Sequence, residues 1–180
     1  MTQGAPSGSI DDPCWVEPDH HAIGRSRGGL TTKPHMLTDG QGRPLVLLLT
    51  PGNVNDCPTF PQLIGGLRVA KPGPGRPRTR PDYLLGDKGY SSRANRELLR
   101  RRGIPHTIPE PRDQQGHRAR RGSRGGRPVG FDKQRYTRRN VVERGFNQLK
   151  QWRGIASRTD KHAINYRGAI TFRATLAWIS

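Results

Sequence analysis

The sequence predicts an α/β fold. Three observations carry that reading: two short β-prone runs flank an Asp-Gly pair near the start, a strand–helix–strand alternation occupies the middle, and the longest helical segments come last. Residues 30–37 and 45–50 are the β-prone runs, and Asp39-Gly40 between them is the signal of a tight hairpin. Residues 51–56 read as loop and 60–67 as a short helix. Residues 71–81 alternate Pro, Gly and Arg and exclude regular structure. Tyr83-Leu84-Leu85-Gly86 is compact and apolar, as a buried strand would be. Residues 91–102 read as a helix that Ser91 or Ser92 can cap and Gly103 can end. Residues 104–108 read as a further strand, 111–130 as a long basic loop, 132–152 as the longest helix and 164–179 as a closing helix with Trp178 in its core face. Trp152 likewise reads as core.

The 180 residues carry 32 Lys plus Arg against 14 Asp plus Glu, a formal net charge of +18. Of the basic residues 26 are Arg, whose planar fork matches phosphate geometry. Such a surplus attracts polyanions, so nucleic acid is the first partner to consider, although a GC-rich coding sequence also enriches Arg. No apolar run approaches the ~20 residues of a membrane span. Two cysteines, Cys14 and Cys57, exclude a disulfide scaffold and a four-cysteine zinc site. The first eight residues lack an apolar signal core, so the expected location is the cytoplasm, at the nucleoid. The tetrapeptide Ser-Arg-Gly-Gly occurs at 26–29 and again at 123–126; both copies read as phosphate-contacting loops.

Two acids stand out. On a continuous helix at ~100° per residue, Tyr136, Arg139, Glu143 and Lys150 fall within about one sixth of the circumference. Val142, Phe146 and Leu149 cluster beside them as the packing face. Glu143 is then either one member of a solvated salt-bridge stripe or a metal ligand between two phosphate-holding cations. Asp87 follows the apolar run 83–86, where α/β sheets place their chemistry, and Gly89 lets the chain turn sharply. The alternative for Asp87 is a cap on the next turn. Oxygen ligands without Cys or His would favour Mg²⁺ or Mn²⁺.

These residues resemble a known family. Asp87-Lys88-Gly89-Tyr90 matches the Asp-x-Gly-Tyr/Phe motif around the second acid of bacterial insertion-sequence DDE transposases. Tyr136, Arg139, Glu143 and Lys150 match the spaced signature around that family's third acid, closest to the group numbered four and five. Gly24-Arg25-Ser26-Arg27-Gly28-Gly29-Leu30-Thr31-Thr32-Lys33 and Asn140-Val141-Val142-Glu143-Arg144 are also similar to that group's phrasing. The resemblance covers about residues 19–179. It implies a ribonuclease-H-like fold, a mixed sheet with flanking helices, in which three acids hold two Mg²⁺ (or Mn²⁺) ions for DNA cleavage and strand transfer. Asp87 would be the second catalytic, metal-holding acid and Glu143 the third. Arg139 and Lys150 would contact DNA phosphates, with Tyr136 orienting them.

In the family the first acid sits on the first strand, as Asp-Ser/Thr after an apolar run. Here Asp11 and Asp12 precede Pro13, and Asp19 precedes His20-His21; none follows an apolar run. The expected organisation is a flexible segment 1–22 and a partial catalytic domain 23–180, with the first strand missing and basic loops at 71–81 and 111–130. Such a chain is a truncated copy, or one half of a split one whose first acid comes from an upstream polypeptide. Its expected partners are double-stranded DNA, at element ends and target, and further copies of itself when active. By itself it should neither cut nor join DNA.

A rival from another class is a non-catalytic basic DNA-binding module. Pro74-Gly75-Arg76-Pro77-Arg78 resembles the core of an AT-hook, a minor-groove segment. An RNA-binding protein would want more than 6% aromatic residues. The six histidines show no ligand spacing, and Cys57 reads as a small buried or loop residue. Asp56, in Asn53-Val54-Asn55-Asp56, resembles a family loop near the active site, but reads as a turn former and is not assigned to the metal.

Overall fold

The Asp39-Gly40 signal does fold as a hairpin turn. The computed structural model describes residues 17–179, and the elements run β1 (Gly24–Ser26), β2 (Gly29–Thr38), β3 (Pro44–Pro51), α1 (Phe60–Gly65), β4 (Leu84–Leu85), α2 (Arg93–Arg101), β5 (His106–Thr107) and α3 (Arg112–Arg120). The helices α4 (Lys133–Tyr136), α5 (Asn140–Lys150), α6 (Arg153–Ser157) and α7 (Ala163–Ile179) follow. The mixed α/β class is as expected. The described residues form two compact units, one from 17–54, 62–79 and 140–179, the other from 55–61 and 80–139.

In the first unit, β1, β2 and β3 form an antiparallel sheet in that order. Asp39 makes the β2–β3 turn: its Oδ1 accepts the amides of Gln41 and Arg43, both at 2.9 Å, and its Oδ2 accepts the Arg43 Nε–H at 2.8 Å. The left-handed φ of 91° falls on Gly42 rather than on Gly40. Met36 and Leu47 pair across the strands and enter a core with Leu149, Ile155, Tyr166, Ile170 and Ala174. The last three recur every fourth residue, one face of α7. Full burial of an aliphatic side chain is worth ~1.5–3 kcal/mol, so this cluster is the main force holding α5, α6 and α7 to the hairpin. Gly145 allows α5 its close approach: a Cβ there would lie 3.0 Å from the Gly42 carbonyl oxygen.

The second unit contains the expected strand–helix–strand. β4 and β5 run parallel, with Leu84 opposite His106, and α2 connects them. The Ser92 hydroxyl caps α2 by accepting the Asn95 amide at 3.1 Å, and Gly103 turns away with φ 63°. Leu99 and Ile108 are fully buried beneath it.

Three expectations need correction. The segment 111–130 is not simply a basic loop: α3 and a 3₁₀ turn, Gly122–Gly125, occupy most of it. No residue of α3 is buried, so it carries no apolar periodicity by which a helix is recognised. Residues 132–152 are not one helix, because a 3₁₀ turn at Thr137–Arg139 separates α4 from α5, and the longest helix is α7. Trp152 and Trp178 are not core but 40% and 42% exposed. Trp178 keeps its polar edge busy, donating Nε1–H to Pro44 O at 3.0 Å under the Arg43 guanidinium. Residues 71–81 hold no strand or helix, as expected, and Arg78 forms an isolated bridge with Val69.

Residues 1–16, including Asp11, Asp12 and Cys14 and most of the expected flexible segment 1–22, lie outside the described residues. Residues 17–22 make a turn in which His21 and Ala22 both take positive φ and Ala22 is buried. Arg158 donates to the carbonyls of both. Among the described residues no helix is long and apolar enough to cross a membrane.

Candidate active site

Asp87 stands where the sequence places it, one residue beyond the short strand β4 and its Gly86. It is the N-cap of a 3₁₀ turn, Lys88–Tyr90, and its Oδ1 accepts the Lys88 amide at 2.7 Å. Capping and exposure therefore coexist: the side chain is 49% exposed, and its Oδ2 takes no hydrogen bond among the described residues. Arg139 Nη1 lies 3.6 Å from Asp87 Oδ1, and the same guanidinium sits 5.6 Å from the Tyr136 ring centroid. The 3₁₀ turn Thr137–Arg139 brings this about, since at three residues per turn positions i and i+3 eclipse. So one unit brings Asp87, Tyr136 and Arg139 together.

Glu143 and Lys150 belong to the other unit. Both are exposed on α5, Glu143 in its first turn and Lys150 in its last. Seven helical residues rise about 10 Å, so the two stand at opposite ends of α5. Lys150 lines a cavity of about 360 Å³ with Thr31, Thr32, Phe146, Ile155 and Tyr166. Val142, Phe146 and Leu149 do face the core, as the wheel predicts.

Two contacts are not read from the sequence, although the loop holding Asp56 resembles one that the family keeps near its active site. Asp56 lies under the Asp87 turn: a Cβ on Gly89 would meet Asp56 Oδ2 at 2.7 Å. Burial first, and then the carboxylates of Asp56 and Asp87, push the Tyr90 phenol well above its ordinary range. The second is a trio, Glu17, His21 and His162, whose ligand atoms lie within 4.8 Å of one another. Glu17 Oε1 accepts from His21 Nδ1 at 2.7 Å and from the Ala163 amide at 2.6 Å, and Oε2 accepts the Ile164 amide at 2.7 Å. The carboxylate thus caps α7, beside the Arg158 clamp, and reads as a structural staple. Residues so far apart in sequence carry no local signal.

Comparison with known proteins decides the family. The model of the transposase DDE domain matches residues 8–177. The chain belongs to the DDE transposase family. A relative from Burkholderia cepacia, named as a transposase for insertion sequence element IS402, is 31% identical over 154 residues, covering 86% of this chain and 65% of its own length. One from Brucella ovis, named as a transposase for insertion sequence element IS6501, is 27% identical over 152 residues, covering 83% of this chain and 99% of its own length. No solved structure matches the chain. This DDE transposase chain therefore spans just under two thirds of the Burkholderia relative's length.

Proposed function

We propose that this chain supplies the second and third acids, Asp87 and Glu143, of an insertion-sequence transposase with a ribonuclease-H-like fold, acting on double-stranded DNA. The observation that carries the reading is Asp87 at the end of a parallel β4–β5 pair, exposed and flanked by the signature residues Arg139 and Tyr136. The fit to a divalent cation is chemical: both acids are exposed carboxylates, and hard oxygen donors suit Mg²⁺ or Mn²⁺. When bound, a pair of such ions supplies activation of the attacking hydroxyl and stabilisation of the leaving oxygen. The chain's own residues do the rest. Asp87 and Glu143 would hold the cations beside the reacting phosphate, and Arg139, preset by its carboxylate and aromatic neighbours, receives a phosphate oxygen. Lys150 neutralises a second phosphate, while the Tyr136 ring limits where the Arg139 fork can point.

The first acid comes from outside this set, from an upstream segment or polypeptide, and the active species is a homo-oligomer at the nucleoid. The test is reconstitution with the upstream segment on element-end DNA and Mg²⁺. The mixture should cleave and join, and Asp87→Asn or Glu143→Gln should abolish both. Strand transfer by the 180-residue chain alone, or activity that survives Asp87→Asn, would overturn the reading.

A further inference from the structure

The segment 112–127 takes no part in that chemistry, yet it is built with care. It holds six arginines against a single acid, Asp113, and no Phe, Tyr or Trp. Arg118 pairs with Glu110. Arg120, Arg121, Arg124 and Arg127 are exposed, and none pairs with a carboxylate among the described residues. A nine-residue helix with a glycine inside and no apolar face would not persist alone in water. Polar contacts hold it. The Gln114 amide donates to Ser91 O at 2.9 Å and accepts from Ser91 Oγ at 3.0 Å, while Gln115 Nε2 donates to Glu110 O at 2.7 Å. Ser91 is buried and braced from its other side by Arg96 Nη2 at 2.9 Å. It is also the C-cap of the 3₁₀ turn that Asp87 opens.

We propose that α3 and the turn after it form a docked basic arm that binds the phosphate backbone of duplex DNA in fixed register with the turn carrying Asp87. The proposal rests on the reading of the chain as a DNA-acting transposase and extends it to a surface outside the signature. The chemistry selects the partner. Arginine forks grip phosphate oxygens in pairs. Without an aromatic platform the arm cannot stack single-stranded bases. At about 13 Å, α3 spans the axial rise of roughly four base pairs. The Ser91–Gln114 pair makes the arm a spacer rather than a loose tail, so a backbone gripped by it lies at a set distance from the acid.

The test uses the whole chain with a random-sequence 30-base-pair duplex, titrated by fluorescence anisotropy across salt concentrations. Neutralising Arg120, Arg121 and Arg124 together to Gln should flatten the slope of log affinity against log salt by about 2 to 3. A control with the same charge loss, Arg68, Arg153 and Lys161 to Gln, all exposed and outside the basic loops, should change it by less than one. Gln114→Leu keeps every arginine, so it should weaken binding several-fold at an unchanged slope; circular dichroism and a thermal melt check that each variant folds. Equal slope changes in the two triple variants overturn the arm while leaving the transposase reading intact. Unchanged affinity in Gln114→Leu overturns the fixed register. A wild-type chain that does not bind the duplex overturns both.

Discussion

Arg139 Nη1 stands 3.6 Å from Asp87 Oδ1, 52 residues away in sequence. The pair is only partly shielded, with the side chains 27% and 49% exposed. Half-exposed ion pairs contribute roughly 0–1 kcal/mol. Arg139→Ala should therefore barely move the midpoint of urea unfolding, yet weaken duplex binding several-fold in the same preparation. A large loss of stability instead would make the contact structural.

Gly89 is the close approach beneath that pair. Its missing Cβ leaves room for Asp56 Oδ2, which an added methyl would meet at 2.7 Å. Gly89→Ala should cost about 1–3 kcal/mol, as overpacking does. In an Asp56→Ala background most of that cost should vanish. A double-mutant cycle by urea unfolding measures the coupling; additive costs would place the strain elsewhere.

Two helical glycines should respond with opposite signs. Gly168 in α7 meets nothing within 4 Å, so Gly168→Ala should gain the ordinary helix increment of about 1 kcal/mol. At Gly145 the new Cβ would press on the Gly42 carbonyl at 3.0 Å and Met36 Cε at 3.1 Å. Gly145→Ala should destabilise, and paired thermal melts give the contrast directly.

Glu17 should make the first unit acid-sensitive. Burial pushes its carboxyl up, but the bonds from His21 and from the Ala163 and Ile164 amides together outweigh burial and hold it below the ordinary glutamate value of 4.5. A depressed folded value means the carboxylate stabilises the fold above the unfolded value and loses that contribution as pH falls through the folded one. At pH 7, Glu17→Ala should cost about 1–2 kcal/mol, the range for a lost helix cap. The gap between wild type and variant should hold down to about pH 5 and close below pH 4.5, read from melting temperatures. A gap independent of pH would remove the charge from the explanation.

The elements that the sequence reveals are those with local causes. Asp39 fixes the hairpin turn through its own side chain, Ser92 and Gly103 bound α2, and the hydrophobic wheel places Val142, Phe146 and Leu149 correctly. Asp87 is legible because an apolar run ends beside it. What stays hidden depends on distant partners. α3 is fastened by Ser91 and Glu110 rather than by an apolar stripe. The break at Thr137–Arg139 has no glycine or proline to announce it. The Glu17 cap needs residues 146 and 147 positions further on.

The Arg158 clamp on His21 and Ala22 joins residues 136 and 137 positions apart. During synthesis, the apolar faces of β2 and β3 leave the ribosome more than a hundred residues ahead of Tyr166 and Ile170, which cover them. Contacts of such sequence separation close late and slowly. Most of the second unit, residues 80–139, is contiguous and is finished while the first still waits for its C-terminal helices. The nascent hairpin is thus the stretch most in need of a chaperone, and a ribosome that stalls before α7 leaves it uncovered.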